Sequence, residues 1–123
     1  MYSLKVLSYF SAAHKLRDYH GKCEVLHGHN WKVEVEIKAK DVGKDGMVVD
    51  FKVVKFLLKE CLERLDHGYL NEIPPFDKEN PTSELIARYI FKTLKDKIPP
   101  TASLSKVSVW ESETACASYW END

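Results

Sequence analysis

No stretch of the chain approaches the roughly 20 consecutive apolar residues that a membrane span needs, and the sequence gives no reason to place it in a bilayer. An excess of charge is equally absent. Lysine and arginine total 18 against 19 acids, and the bases are scattered rather than gathered in a tail. A net charge of −1 carries no nucleic-acid or membrane-surface signature. The first residues, Met1-Tyr2-Ser3-Leu4-Lys5, lack the apolar block of a signal peptide, so a cytoplasmic location is expected. Cysteine is scarce: Cys23, Cys61 and Cys116 form an odd, widely spaced set. That excludes a disulfide framework and predicts reduced thiols. Internal repeats and low-complexity segments are missing too.

What is present fits one domain over residues 1–123, with enough apolar residues, 44%, for a sizeable core. The first element reads as a strand from Tyr2 to His14, with Leu4, Val6 and Phe10 on one parity. The second has the clearest pattern: Trp31, Val33, Val35, Ile37 and Ala39 alternate with charged Lys32, Glu34, Glu36, Lys38 and Lys40. That is one buried and one wet face. A turn at Gly43–Gly46 follows, then Met47-Val48-Val49, predicted as a short strand or lead-in. Asp50 is the expected N-cap of a helix striped by Val54, Leu57, Leu58, Cys61, Leu62 and Leu65. Gly68 is expected to end that helix in the left-handed conformation. A second helix starts near Pro81-Thr82-Ser83-Glu84 and stops before Pro99-Pro100. Two strands close the chain, Leu104–Trp110 and Ala115–Trp120. The order ββααββ predicts an α+β fold, a four-stranded antiparallel sheet with both helices on one face. Cys61 and Cys116 are both expected to be inert core thiols.

His27-Gly28-His29 places two imidazoles on one side of an extended chain, in phase with Trp31, Val33 and Val35. His14 shares the parity of Leu4, Val6 and Phe10. If the two strands pair as a wide hairpin, the three rings converge, provided that no bulge at Ser11-Ala12-Ala13 breaks the register. Three imidazoles with a vacant fourth position are the usual form of a catalytic zinc site. His20, in the loop between the strands, reads as a solvated side chain. Cys23 lies four residues before His27. It is a fourth ligand that closes a structural, partner-binding zinc module, or a thiolate base standing off the metal, or a spectator. Asp66-His67 is either a carboxylate holding an imidazole in one tautomer or a helix-terminal histidine stabilised by the dipole. Glu111 continues the parity of Val107 and Val109, where a carboxylate needs a partner, unless the strand ends at Trp110 and leaves it in solvent.

These pieces, taken in order, resemble the pterin synthases of the tunnelling fold, the 6-pyruvoyl- and 6-carboxytetrahydropterin synthases. The matching stretches are Phe10–His14, Cys23–His29, Leu65–Asn71, Pro81–Glu84 and Val107–Glu111. The resemblance implies zinc on His14, His27 and His29, and Cys23 as the proton-abstracting base. It implies His67, with Asp66 and Glu111, as a proton relay on the other side of the substrate. Glu111 would also anchor the pterin, whose 2-amino and ring N–H groups form a flat pair of donors. Thr82, Ser83 and Glu84 would contribute to the pocket from a neighbouring subunit of a hexamer built as a dimer of trimers, which would also cover the open sheet edges. The implied substrate is 7,8-dihydroneopterin triphosphate. The implied products of the carboxytetrahydropterin branch are 6-carboxy-5,6,7,8-tetrahydropterin, acetaldehyde and triphosphate, on the way to queuosine-type bases of tRNA. The three residues between Cys23 and His27 resemble that branch, while the pyruvoyl type is an alternative. Glu24 is either a solvent-facing loop acid or, as in relatives that make 6-hydroxymethyldihydropterin, the working base.

Overall fold

Strong alternation fixes the two longest strands and, through them, the sheet. The computed structural model describes residues 1–18 and 25–122. Strand β1 (Tyr2–His14) and strand β2 (His27–Ala39) pair antiparallel. Their register runs unbroken from Tyr2 opposite Ala39 to His14 opposite His27, so the considered bulge at Ser11–Ala13 is absent. An even parity on β1 therefore meets an odd parity on β2. Val6 faces Val35, and Phe10 stacks beside Trp31 with ring centroids 5.8 Å apart.

Helix α1 (Phe51–Glu63) begins where expected, with the Asp50 carboxylate accepting from the Lys52 N–H. Helix α2 (Ser83–Leu94) is capped by Thr82, whose hydroxyl accepts from the Leu85 N–H. Strands β4 (Ser103–Trp110) and β5 (Cys116–Tyr119) follow as a hairpin, with β3 (Gly68–Tyr69) between the helices in chain order. The sheet runs β3-β1-β2-β4-β5. Helix α1 lies against β1, and α2 lies against β4 and β5. Val54, Leu58 and Leu62 of α1 join Ile86, Ile90 and Leu94 of α2 over Val33, Val35 and Val107 in one core cluster. Both helices thus cover the same face of an α+β fold. No helix of the described residues is long and apolar enough to cross a membrane.

The structure corrects three local expectations and, at residues 47–49, decides for the lead-in over the short strand. The sheet has five strands rather than four, because Gly68–Tyr69 pairs in parallel with Ala12 and Ala13. Residues 47–49 form no strand. Val48 and Val49 pack against the core from a bend leading into α1. The left-handed residue after α1 is His67, at φ 59°, not Gly68. Cys116 is exposed, whereas Cys61 is buried as expected, and burial pushes its thiol up to about 11.

The chain's last turn of structure is tied to α2 by one carboxylate. Glu121 accepts from the Tyr119 hydroxyl (2.7 Å), Lys92 Nζ (3.0 Å) and Lys95 Nζ (3.2 Å). The Tyr119 bond first, then the lysines, lowers its pKa from 4.5 to about 2. A carboxylate whose folded pKa is depressed stabilises the fold above its unfolded value and loses that contribution as pH falls through the folded one. We expect Glu121→Gln to lower the unfolding midpoint at neutral pH. Its deficit against the parent protein should shrink between pH 4.5 and 2 in parallel melts. A deficit constant across that range would contradict the assignment.

Candidate metal centre

The register delivers three imidazoles to one end of the hairpin, on the helix-covered side. His14 stands directly across from His27, and His29 lies opposite Ala12. His14 is buried (1% exposed) and its ring meets those of His27, His29 and Trp31 edge to face, with centroids 4.7, 5.1 and 4.9 Å away. Trp31 forms the floor, its indole N–H donating to the Ala12 carbonyl at 3.3 Å. A fourth group comes from the turn after β4. Glu111 Oε1 lies 2.9 Å from His29 Nε2, 3.3 Å from His14 Nε2 and 3.7 Å from His27 Nε2. The four donor atoms all lie within 4.8 Å of one another, and among the described residues no other such group exists.

Tautomers decide what this cluster can hold. A carbonyl oxygen only accepts, so His14 Nδ1 donates to the Pro81 carbonyl at 2.9 Å and His27 Nδ1 donates to the Val25 carbonyl at 2.8 Å. An imidazole carrying its single proton on Nδ1 presents a lone pair at Nε2. Yet His14 Nε2 and His27 Nε2 stand 3.2 Å apart. Ring nitrogens facing each other at that distance can share a cation, whether a proton or a metal ion. Nitrogen donors held about 2.0–2.1 Å from a tetrahedral zinc stand roughly 3.3 Å apart, so the observed spacing suits such an ion. Imidazole nitrogens also match zinc's ligand preferences. The residues present fit the expected metal.

Glu111 sits here rather than continuing a buried strand face, because β4 ends at Trp110. Its side chain is 39% exposed. Beside it opens a cavity of about 360 Å³ lined by His29, Ser83, Glu84, Glu111 and the small residues Ala115–Ala117. That volume falls within the range of small-molecule pockets. Ser83 and Glu84 reach it from the same chain as the imidazoles, while Thr82 is engaged in capping α2. The exposed thiol of Cys116 lines the same wall. No periodicity marked that residue, since small residues on a short edge strand read equally well as core.

Asp66 and His67 are brought together, but outside the four-group cluster. Asp66 Oδ2 lies 3.1 Å from His67 Nδ1, a contact between adjacent residues that the left-handed turn at His67 permits. Asp66 Oδ1 accepts from the Ser11 N–H at 2.9 Å, and the His67 N–H donates to the Ser11 carbonyl. The Ser11 bond, ahead of the neighbouring His67, holds the Asp66 carboxyl below its usual range. The His67 ring is 83% exposed, available to a ligand or a second chain. His20, Cys23 and Glu24 lie outside the described residues.

Comparison with known proteins finds a matching family and fold. The family profile described as 6-pyruvoyl tetrahydropterin synthase matches residues 3–122. A Synechocystis protein named 6-carboxy-5,6,7,8-tetrahydropterin synthase is 40% identical over 90% of this chain and 87% of its own length. A Pyrococcus furiosus protein named dihydroneopterin monophosphate aldolase is 35% identical over 83% of this chain and 82% of its own. The solved structure of Caenorhabditis elegans 6-pyruvoyl tetrahydropterin synthase superposes with a TM-score of 0.85 at 25% identity, covering 98% of this chain and 96% of that one.

Proposed function

Because the chain belongs to the 6-pyruvoyl tetrahydropterin synthase family, we propose that it is a zinc-dependent lyase acting on 7,8-dihydroneopterin triphosphate. With one water consumed, its products are 6-carboxy-5,6,7,8-tetrahydropterin, acetaldehyde and triphosphate, and it serves the synthesis of queuosine-type bases. The observation that carries this reading is the 40% identity to the Synechocystis synthase over nearly the full chain. The imidazole cluster beside a cavity of about 360 Å³ supports it.

In this reading His14, His27 and His29 hold Zn2+. When bound, the ion polarises the oxygens of the substrate side chain and acidifies the adjoining C–H bonds. The remaining work falls to the chain's own groups. The Cys23 thiolate takes a proton from the side-chain carbon. The His67 imidazole, oriented by Asp66, moves a proton on the opposite side, and its exposure suits a ring that meets substrate. Glu111 takes the pterin's flat pair of N–H donors from its place on the cavity wall, where Ser83 and Glu84 face it. Thr82 contributes through the cap that sets the start of α2. The protein works in the cytoplasm as a hexamer, a dimer of trimers, with no nucleic-acid or membrane partner. Leu7 and Tyr9 of β1 are exposed, which suits a sheet covered by further copies. Sedimentation should give six chains, and a stable monomer would remove the assembly.

Incubating the purified zinc-loaded protein with dihydroneopterin triphosphate tests the reaction. Acetaldehyde and a carboxypterin in equal amounts are expected. The Pyrococcus furiosus relative favours a second reading, in which Glu24 is the base and 6-hydroxymethyldihydropterin the product. A hydroxymethyl product, lost in Glu24→Gln but kept in Cys23→Ala, would replace the first reading with the second.

A further inference from the structure

Strand β1 ends at His14, but the residues after it still present backbone groups along the same outer edge. The parallel ladder with β3 ends at Ala13 opposite Tyr69. Past it, two side-chain amides take over the role of a neighbouring strand. Asn71 Oδ1 accepts from the Lys15 N–H at 2.9 Å, and Asn71 Nδ2 donates to the Lys15 carbonyl at 2.9 Å. Two residues on, Asn80 Oδ1 accepts from the Arg17 N–H at 2.8 Å, and Asn80 Nδ2 donates to the Arg17 carbonyl at 2.9 Å. Alternate residues of an extended chain present their N–H and C=O to the same edge. Lys15 and Arg17 therefore offer two such sites, and each amide fills one completely. The Arg17 guanidinium adds bonds to the carbonyls of Asn71 (3.2 Å), Phe76 (2.6 Å) and Glu79 (3.1 Å). The segment from Asn71 to Asn80 is thereby sewn to the end of β1.

The residue after Asn80 is Pro81, whose carbonyl receives the His14 Nδ1 proton. His14 in turn precedes Lys15. The two amide pairs thus bracket both ends of the one hydrogen bond that decides which His14 nitrogen faces the cluster. We propose that Asn71 and Asn80 are positioning residues for the metal centre: they hold the Pro81 carbonyl against His14 so that its Nε2 lone pair points at the ion. The inference rests on the metal reading given above. It adds two residues remote in sequence from the ligands, separated from their partners by 56 and 63 positions.

Chelator competition for zinc, measured on folded protein well below its melting temperature, tests it. Loss of the direct partner that orients a metal-bound histidine weakens metal binding about 10- to 100-fold; Asn80→Ala and Asn71→Ala leave the Pro81 carbonyl in place and loosen it, so a loss toward the lower end of that range is expected. Asn80→Asp keeps an acceptor for the Arg17 N–H and replaces the donor with a charged oxygen facing the Arg17 carbonyl, so it serves if the alanine variants do not fold. Its loss should be in the same direction. Leu94→Ala, in the core at the far end of α2, should lower the melting temperature and leave zinc affinity unchanged. A folded Asn80 variant that binds zinc as tightly as the parent would overturn the proposal, as would a loss no larger than that of Leu94→Ala. Failure of the parent protein itself to bind zinc would instead overturn the metal reading.

Discussion

Replacing His27 by alanine should leave a folded protein that no longer retains zinc and no longer turns over substrate. His27 suits this test better than His14. Its side chain is 37% exposed at the mouth of the cluster, whereas His14 is buried against Trp31. Truncation at His27 therefore removes a donor without opening a core cavity. The residual pair of imidazoles lacks the three protein donors of an open zinc site. The affinity loss should exceed the roughly 100-fold seen when only an orienting partner is removed. Metal analysis after dialysis, with circular dichroism to confirm the fold, provides the measurement. Retention of one zinc per chain in His27→Ala would refute the ligand set.

The complementary expectation concerns Cys23, four residues before His27. Cys23→Ala should keep its zinc and lose turnover by about 10²- to 10⁴-fold, the range a positioned general base supplies. The two variants thus separate holding the ion from moving the proton. A thiol that instead closed the coordination shell would make the site structural, and Cys23→Ala would then lose its metal. Cobalt substitution gives a direct view of the difference, because a thiolate ligand adds an intense charge-transfer band. Its absence is expected in the parent protein and in the variant alike.

Much of the fold and most of the candidate metal centre were written in local patterns. The five apolar residues from Trp31 to Ala39 alternate so regularly that the buried face of β2 follows from period two alone. The parities of His14, His27 and His29 then place the rings on that face once the hairpin is paired. Asp50 announced the start of α1 through a side chain that can accept a backbone N–H, and the stretch Pro81-Thr82-Ser83-Glu84 marked the start of α2.

The remainder depended on contacts made far along the chain. Strand β3 is two residues long, too short to show a period, and exists because Ala12 and Ala13 offer it an edge. The left-handed turn falls on His67 because its N–H reaches the Ser11 carbonyl, a bond that outweighs the usual preference for glycine there. Glu111 leaves the strand one residue after its pairing with β2 ends, so parity along β4 could not say that its carboxylate would meet three imidazoles. Nor could spacing reveal that Asn71 and Asn80 would stand in for a missing strand.

The metal centre itself is tested most directly by X-ray absorption at the zinc edge on the stoichiometrically loaded protein. The account predicts one ion per chain in a shell of light atoms only, with the multiple-scattering signature of three imidazoles and a change on adding the pterin. A sulfur scatterer in that shell, or fewer than three imidazoles, would contradict it.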